Sequence, residues 1–196
     1  MTIAVATFGD SEWAKLAFNR AIPSATAQGV PVVYRHEDNL ADARNACLKM
    51  VPTEWVIFLD ADDELEPGYV EAMGKGTADV RGPVARYIRG GRSNLWQPRV
   101  YGHSHDCGAE CLSDGNWLLI GSAVRTSVLR AAGGWREFNW SEDWDTWIRC
   151  WKRGATFELI SDAIYRAHVR PDSRNRGATQ AAKQAAHEAI YEANFA

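Results

Sequence analysis

An apolar run, Trp55-Val-Ile-Phe-Leu59, ends on Asp60-Ala61-Asp62-Asp63. Three carboxylates at one strand tip push one another toward protonation unless a cation neutralises them. Oxygen ligands of this kind suit Mg²⁺ or Mn²⁺, which in turn hold a substrate's phosphates. A solvated acidic turn capping the next helix is the plainer alternative; the place directly after a buried strand favours the metal. Ser141-Glu142-Asp143-Trp144-Asp145 is a second acidic group. Carboxylates in a helix's first turn gain about 0.3 to 1 kcal/mol from the helix dipole, so spacing alone would make this capping chemistry. Tyr165-Arg166-Ala167-His168-Val169-Arg170 sets a histidine between two arginines. Such a histidine, taken alone, is more often a surface or core residue than a ligand. His103, His105, Cys107 and Cys111 fall within nine residues, at a spacing that matches no common zinc module and reads as a loop with incidental thiols.

The first 60 residues must position the first of these groups. Residues 2–7 form a short apolar run ended by Phe8-Gly9-Asp10-Ser11, which predicts a strand and then a helix over 11–21. A second strand is expected over 30–34, and a helix over 39–50 with Leu40, Ala43, Cys47 and Leu48 on one face. The run 55–59 is apolar at every position, as in a strand covered on both faces of a parallel sheet. This β-α-β-α-β order places 7–10, 36–39 and 60–63 along one edge, where open sheets bind ligands. Beyond a short helix carrying Tyr69, Val70 and Met73, strands are expected near 84–88, 95–101 and 118–124. Ser141 reads as the N-cap of a helix bearing Trp144, Trp147, Ile148 and Trp151. Strands near 155–159 and 163–167 and a final helix from about 178 complete an α/β chain with a mostly parallel central sheet flanked by helices.

Composition bounds the function. The 196 residues suit one domain, with parts over 1–105 and 106–170 and a C-terminal helix over 171–196. No apolar run reaches the roughly 18 to 20 residues of a membrane span, and four irregularly spaced cysteines read as free thiols, so a cytoplasmic protein is expected. The formal net charge is only −3, yet Arg81, Arg86, Arg89, Arg92 and Arg99 have no acid between them, and Arg166, Arg170, Arg174 and Arg176 follow. That separation suggests a cation site facing anionic ligands.

The stretches Asn39-Leu-Ala-Asp-Ala-Arg44-Asn45 and Trp55-Val-Ile-Phe-Leu-Asp60-Ala-Asp62-Asp63-Glu-Leu-Glu-Pro-Gly-Tyr69 resemble the family 2 glycosyltransferases of the GT-A fold. The resemblance implies a DxD site in which Asp62 binds Mn²⁺ or Mg²⁺, with Asp60 near the ion, the ribose and the diphosphate. Ala61 lies between them, and Arg44 helps to hold the nucleotide. Thr7, with Phe8 after it, and Asp38 would meet base and ribose, with Glu37 able to take Asp38's part. The loops Ala6-Thr7-Phe8-Gly9-Asp10 and His36-Glu37-Asp38-Asn39 depart from the family's usual wording. Glu142-Asp143 resembles the family's ED motif, making Asp143 the general base and Glu142 the second candidate. His168 would complete the metal's coordination, Arg166 and Arg170 would reach the diphosphate, and Gly121 would lie near the donor sugar. A base on the acceptor and a metal on the leaving diphosphate imply inversion by a single displacement, with a UDP-sugar as the expected donor.

The acceptor is unidentified and expected to be anionic: a nucleic acid base, a phospholipid or a protein. Trp117, Trp135 and Trp140 are candidates for stacking on a sugar, whereas Trp144, Trp147 and Trp151 read as core. Two rival readings remain. A haloacid dehalogenase-type phosphatase would use Asp60 as nucleophile and Asp62 as acid, but usually carries Thr or Val where Asp63 stands. A non-catalytic nucleotide-sugar or nucleic-acid binding protein would use the arginine segments as its contact surface.

Overall fold

The computed structural model describes residues 1–97, 108–170 and 179–196. Strand β1 (Thr2–Phe8) lies between β2 (Val32–Glu37) and β3 (Trp55–Leu59), parallel to both. All five residues of β3 are buried, as expected of an uninterrupted apolar run. Helices α1 (Ser11–Asn19), α2 (Ala21–Thr26) and α3 (Leu40–Met50) cross between these strands. The Asp10 side chain accepts from Glu12 N, and the Asn39 side chain accepts from Asp42 N, so both crossovers start on an acceptor at the N-cap. The single helix expected over 11–21 is two, because Arg20 leaves helical geometry at φ −132° and ψ −68°.

The second half completes one sheet of order β2-β1-β3-β7-β5-β8-β4, with β6 on β5. The added strands are β4 (Glu64–Leu65), β5 (Val80–Arg89), β6 (Arg92–Trp96), β7 (Ala123–Arg125) and β8 (Phe157–His168). Parallel pairing of β5 with β8 adds a long ladder to the parallel trio. Strand β7 is antiparallel to β3 and β5 and joins the two halves. Helix α4 (Tyr69–Gly74) follows β4, a 3₁₀ turn spans Ala109–Ser113, and α5 (Thr126–Ala131), α6 (Glu142–Trp151) and α7 (Gln180–Phe195) complete the helices described.

Several sequence expectations change here. The strands near 155–159 and 163–167 are one strand, β8, whose register against β5 shifts between Pro83 and Val84. Of 118–124 only the last two residues are strand; Trp117 and Leu118, each 2 % exposed, fill the core as an irregular segment. Strand β5 begins at Val80, ahead of the expected 84, and β6 ends at Trp96, with 98–101 outside the described residues.

Helix α6 is anchored through Asp145, fully buried at 0 % exposure. Its Oδ2 accepts from Arg136 Nε at 3.0 Å and Arg149 Nε at 2.9 Å. Its Oδ1 accepts from Arg136 Nη2 and from Asn194 Nδ2, which lies on α7. Burial alone would raise this carboxyl's pKa; the Arg136 and Asn194 bonds and the Arg149 charge outweigh it and hold the pKa below its ordinary value. A depressed folded-state pKa means that the stabilisation is present at neutral pH and is lost as pH falls through that value. Asp145→Ala, which strands two guanidiniums, is expected to cost about 3 to 5 kcal/mol in urea unfolding at pH 7. The difference from the unaltered protein should shrink as the solution is acidified.

Candidate active site

The ends of β1 and β3 open into a cavity of about 340 Å³. Thr7, Phe8, Arg44, Asp60, Ala61, Asp62, Asp63, Tyr87 and His168 line it, together with Trp13 and Leu40. Thr7 is 2 % exposed, and its Oγ1 lies 2.8 Å from Tyr34 Oη and 2.9 Å from His36 Nδ1. The end of β2 thus reaches the site through His36. Asp38 is exposed and does not line the cavity.

The tip of β3 is held on three sides. Arg20 Nη1 donates to Asp62 O at 2.8 Å. Tyr165 Oη accepts from Asp60 N at 3.3 Å and donates to the Asp63 carboxylate. His168 N donates to Asp63 Oδ1 at 2.8 Å. Burial, then the charge of Asp60, raises the Asp62 pKa; burial, then Asp62 and Asp60, raises that of Asp63 further. Carboxylates under this strain are the donor set that a divalent cation relieves. Among the described residues no three His, Cys, Asp or Glu side chains stand together as a ready cage. Mg²⁺ and Mn²⁺ are commonly held by one or two carboxylates plus substrate phosphate oxygens, so Asp60 and Asp62 beside an open cavity fit such an ion. His168 lines the same cavity, but its Nε2 is 2.6 Å from Glu64 Oε2.

Arg44 joins the two acidic segments. It is 2 % exposed; Nη2 donates to Asp60 Oδ1 at 3.0 Å and Nη1 to Glu142 Oε1 at 2.9 Å, with the Trp135 ring 4.6 Å from its Cζ. Burial works against its charge, and the charges of Glu142, Asp60 and Asp143 outweigh it, so the guanidinium stays protonated. Asn45, the next residue, pairs with both backbone groups of Trp135 and so fixes the ring under Arg44. Asp143, next to Glu142, is pushed up to about 7 by burial and then by Glu142; Arg44, the Trp144 N–H and the Asn116 side chain pull the other way.

The remaining expected residues separate. Arg170 Cζ sits 5.2 Å from the centre of the Trp13 ring and feels Asp62. Arg166 lies 3.7 Å from Glu64 and does not line the cavity. Gly121 packs under two rings: a Cβ there would meet Tyr165 Cδ2 at 2.3 Å and Tyr69 Oη at 2.9 Å, so glycine is required by contact alone. Trp117 and Trp135 are 2 % and 3 % exposed, too buried to stack on a sugar, and Trp140 is half-buried. Trp144 and Trp147 are core as expected, while Trp151 is half-buried against Phe195. Arg81 is buried over the Trp55 ring, and Arg86 pairs with Glu66 at 2.6 Å, so neither serves an open anion surface. Of the zinc candidates, Cys111 is fully buried, and His103, His105 and Cys107 lie outside the described residues, as do Arg99, Arg174 and Arg176. Tyr165, Asn116, Asn45, His36 and Tyr34 carried no sequence signal for these roles, because each acts through a partner distant in the chain.

A parallel β-α-β-α-β unit with carboxylates at its third strand tip, followed by an antiparallel junction and an acidic helix start, defines a GT-A fold. Residues 20–130 match glycosyl transferase family 2, and the chain belongs to that family. This membership sets the phosphatase reading aside. Among solved structures, residues 1–349 of TarS from S. aureus in complex with UDP-GlcNAc superpose with a TM-score of 0.67 at 15 % identity, covering 91 % of this chain and 62 % of that one. The same TarS segment in complex with UDP gives 0.60 at 18 % identity, covering 87 % and 61 %. The chain therefore spans about three fifths of that TarS segment, and at these identities the likeness is one of fold. Among curated proteins none matches the sequence significantly. No helix of the described residues is long and apolar enough to cross a membrane.

Arg44→Met should remove the charge that both motifs share. Leaving Glu142 buried without its guanidinium is expected to cost about 3 to 5 kcal/mol in urea unfolding. Adding Glu142→Gln should return part of that loss, as a double-mutant cycle would show.

Proposed function

We propose that the chain transfers a sugar from a nucleoside diphosphate, UDP foremost, to an acceptor hydroxyl with inversion at the anomeric carbon. The observation that carries this reading is the Asp60–Arg44–Glu142 bridge, which ties the donor-side carboxylates to the segment bearing Asp143. The nucleotide's base and ribose enter beside Thr7, Phe8 and Ala61, and Arg170 faces the diphosphate. Asp62 and Asp60 would hold Mn²⁺ or Mg²⁺, with His168 able to join after leaving Glu64; the ion's contribution is to neutralise charge on the departing diphosphate.

Asp143 takes the proton from the acceptor hydroxyl. The oxygen forms the new bond to the anomeric carbon while the bond to the diphosphate oxygen breaks, its electron pair leaving with the nucleotide. Such a carboxylate, pushed up to about 7, is a far better proton acceptor than an ordinary aspartate and is still about half ionised at neutrality. Glu142 maintains that basicity by its charge and is itself held by Arg44. The acceptor is proposed to be anionic. A cytoplasmic setting, in which buried Cys47, Cys111 and Cys150 stay reduced, accords with this reading.

The test is a screen of nucleotide sugars for Mn²⁺-dependent hydrolysis and thermal shift. Asp62→Asn is expected to abolish the Mn²⁺-dependent part of both. Asp143→Asn should lower turnover by about 10² to 10⁴-fold while leaving nucleotide affinity near its original value. Turnover should rise with pH up to about 7 and level off above it, since the base works only when deprotonated. Should no nucleotide sugar stabilise the protein with Mn²⁺, or should Asp143→Asn keep full turnover, the assignment fails.

A further inference from the structure

A second concavity, of about 440 Å³, lies apart from the cavity at the strand tips and shares no lining residue with it. Its polar wall is Arg136, Arg149, Lys152, Arg153 and Asn194, drawn from the segment before α6, from α6 and the turn after it, and from α7. The neighbouring acids Glu137 and Glu192 do not line it. We infer that this concavity is a binding site for a phosphate group, independent of the sugar-transfer site.

Charge balance is the first argument. Asp145 is the one carboxylate bonded to this wall among the described residues, and its oxygens are already taken by Arg136, Arg149 and Asn194. The C-termini of α6 and α7 each add about half a negative charge, and the α-carboxylate of Ala196 directly after α7 adds a further one. Four cations therefore face about three negative charges, and the surplus is open to solvent. Cations placed merely to complement a helix end would not need Arg136, which comes from another segment.

The division of labour among the four is the second argument. Arg149 spends four of its five donors on the protein: on Ala132 O, Gly134 O at 2.7 Å, Thr146 Oγ1 at 3.0 Å and Asp145. It therefore chiefly builds the wall, with one Nη1 hydrogen to spare. Arg136 is fixed by Asp145 through Nε and Nη2, which leaves Nη1 without a bond to the described residues. Lys152 Nζ rests 4.6 Å from the centre of the Phe195 ring, and neither it nor Arg153 has an ion pair among the described residues. A rigid guanidinium edge with two unpaired cations beside it recognises a compact oxyanion with several acceptor oxygens. A phosphate monoester or diester has that chemistry, whether on a soluble polyol phosphate or on a lipid headgroup.

The test titrates inorganic phosphate into the ¹⁵N-labelled protein and follows the backbone amides of residues 149–154 and 193–196. Saturable shifts confined to these amides are expected, weakened about tenfold or more in Lys152→Gln/Arg153→Gln, whose two side chains lie at the surface. Arg153→Gln alone should weaken them less and guards against a folding defect in the double variant. Vesicles of phosphatidylglycerol, compared with phosphatidylcholine, separate the sources. Sedimentation with the anionic vesicles alone, lost in the double variant, supports a headgroup; phosphate shifts without vesicle binding support a soluble phosphate ester. Shifts that are absent, unsaturable, or equal in the folded double variant overturn the proposal.

Discussion

One buried guanidinium sets the electrostatic terms for this protein's centre. Taking a cation out of water costs several kcal/mol unless its donors are satisfied by well-placed acceptors. Arg44 meets that demand with Asp60 on one side, Glu142 on the other and the face of Trp135 below. These partners come from three separate stretches of chain, so the ion pair can exist only when the parallel trio, the segment after α5 and the start of α6 are all in place. The same contact that keeps Arg44 charged also fixes how far the β3 tip stands from α6.

Asp143 and Asp145, two residues apart, show how neighbours decide what a carboxylate does. Asp143 meets a buried environment and the charge of Glu142, and is pushed up to about 7. Asp145 is buried more completely by exposure, yet two guanidiniums and an amide donate to it, and it stays ionised as a structural anchor. Burial alone would have raised both. The difference lies in whether the nearest charge is a carboxylate or an arginine.

The parts of this arrangement that were legible in the sequence are those encoded locally. The uninterrupted apolar run at 55–59, the break at 8–11 between the first strand and its helix, and the acidic tip at 60–63 each state their own structure. Arg44, Asp60, Asp62, Thr7 and His168 do come to one cavity. Asp38 does not: β2 continues to Glu37, so Asp38 falls just past the strand end, where it is exposed. The second half was harder for a physical reason: its strands owe their limits to partners distant in the chain. Strand β8 reads as two short strands because its register against β5 shifts midway, and Trp117, Leu118 and Ile120 are buried without being strand at all. Tryptophan content also misled, since Trp135 serves as the floor under Arg44 and leaves no face for a sugar.

Ser141 is the one non-glycine residue with positive φ among those described, at 56°, and its side chain makes no capping bond to α6. A serine chosen for capping would sit in extended geometry and spend its hydroxyl on the helix's own amides. Here the entry into the helix is a disfavoured turn, which tertiary contacts must impose. A peptide carrying only residues 138–152 would thus begin its helix elsewhere and aim its two leading carboxylates differently. The direction in which this acidic pair faces is a property of the assembled domain, absent from the segment that contains it.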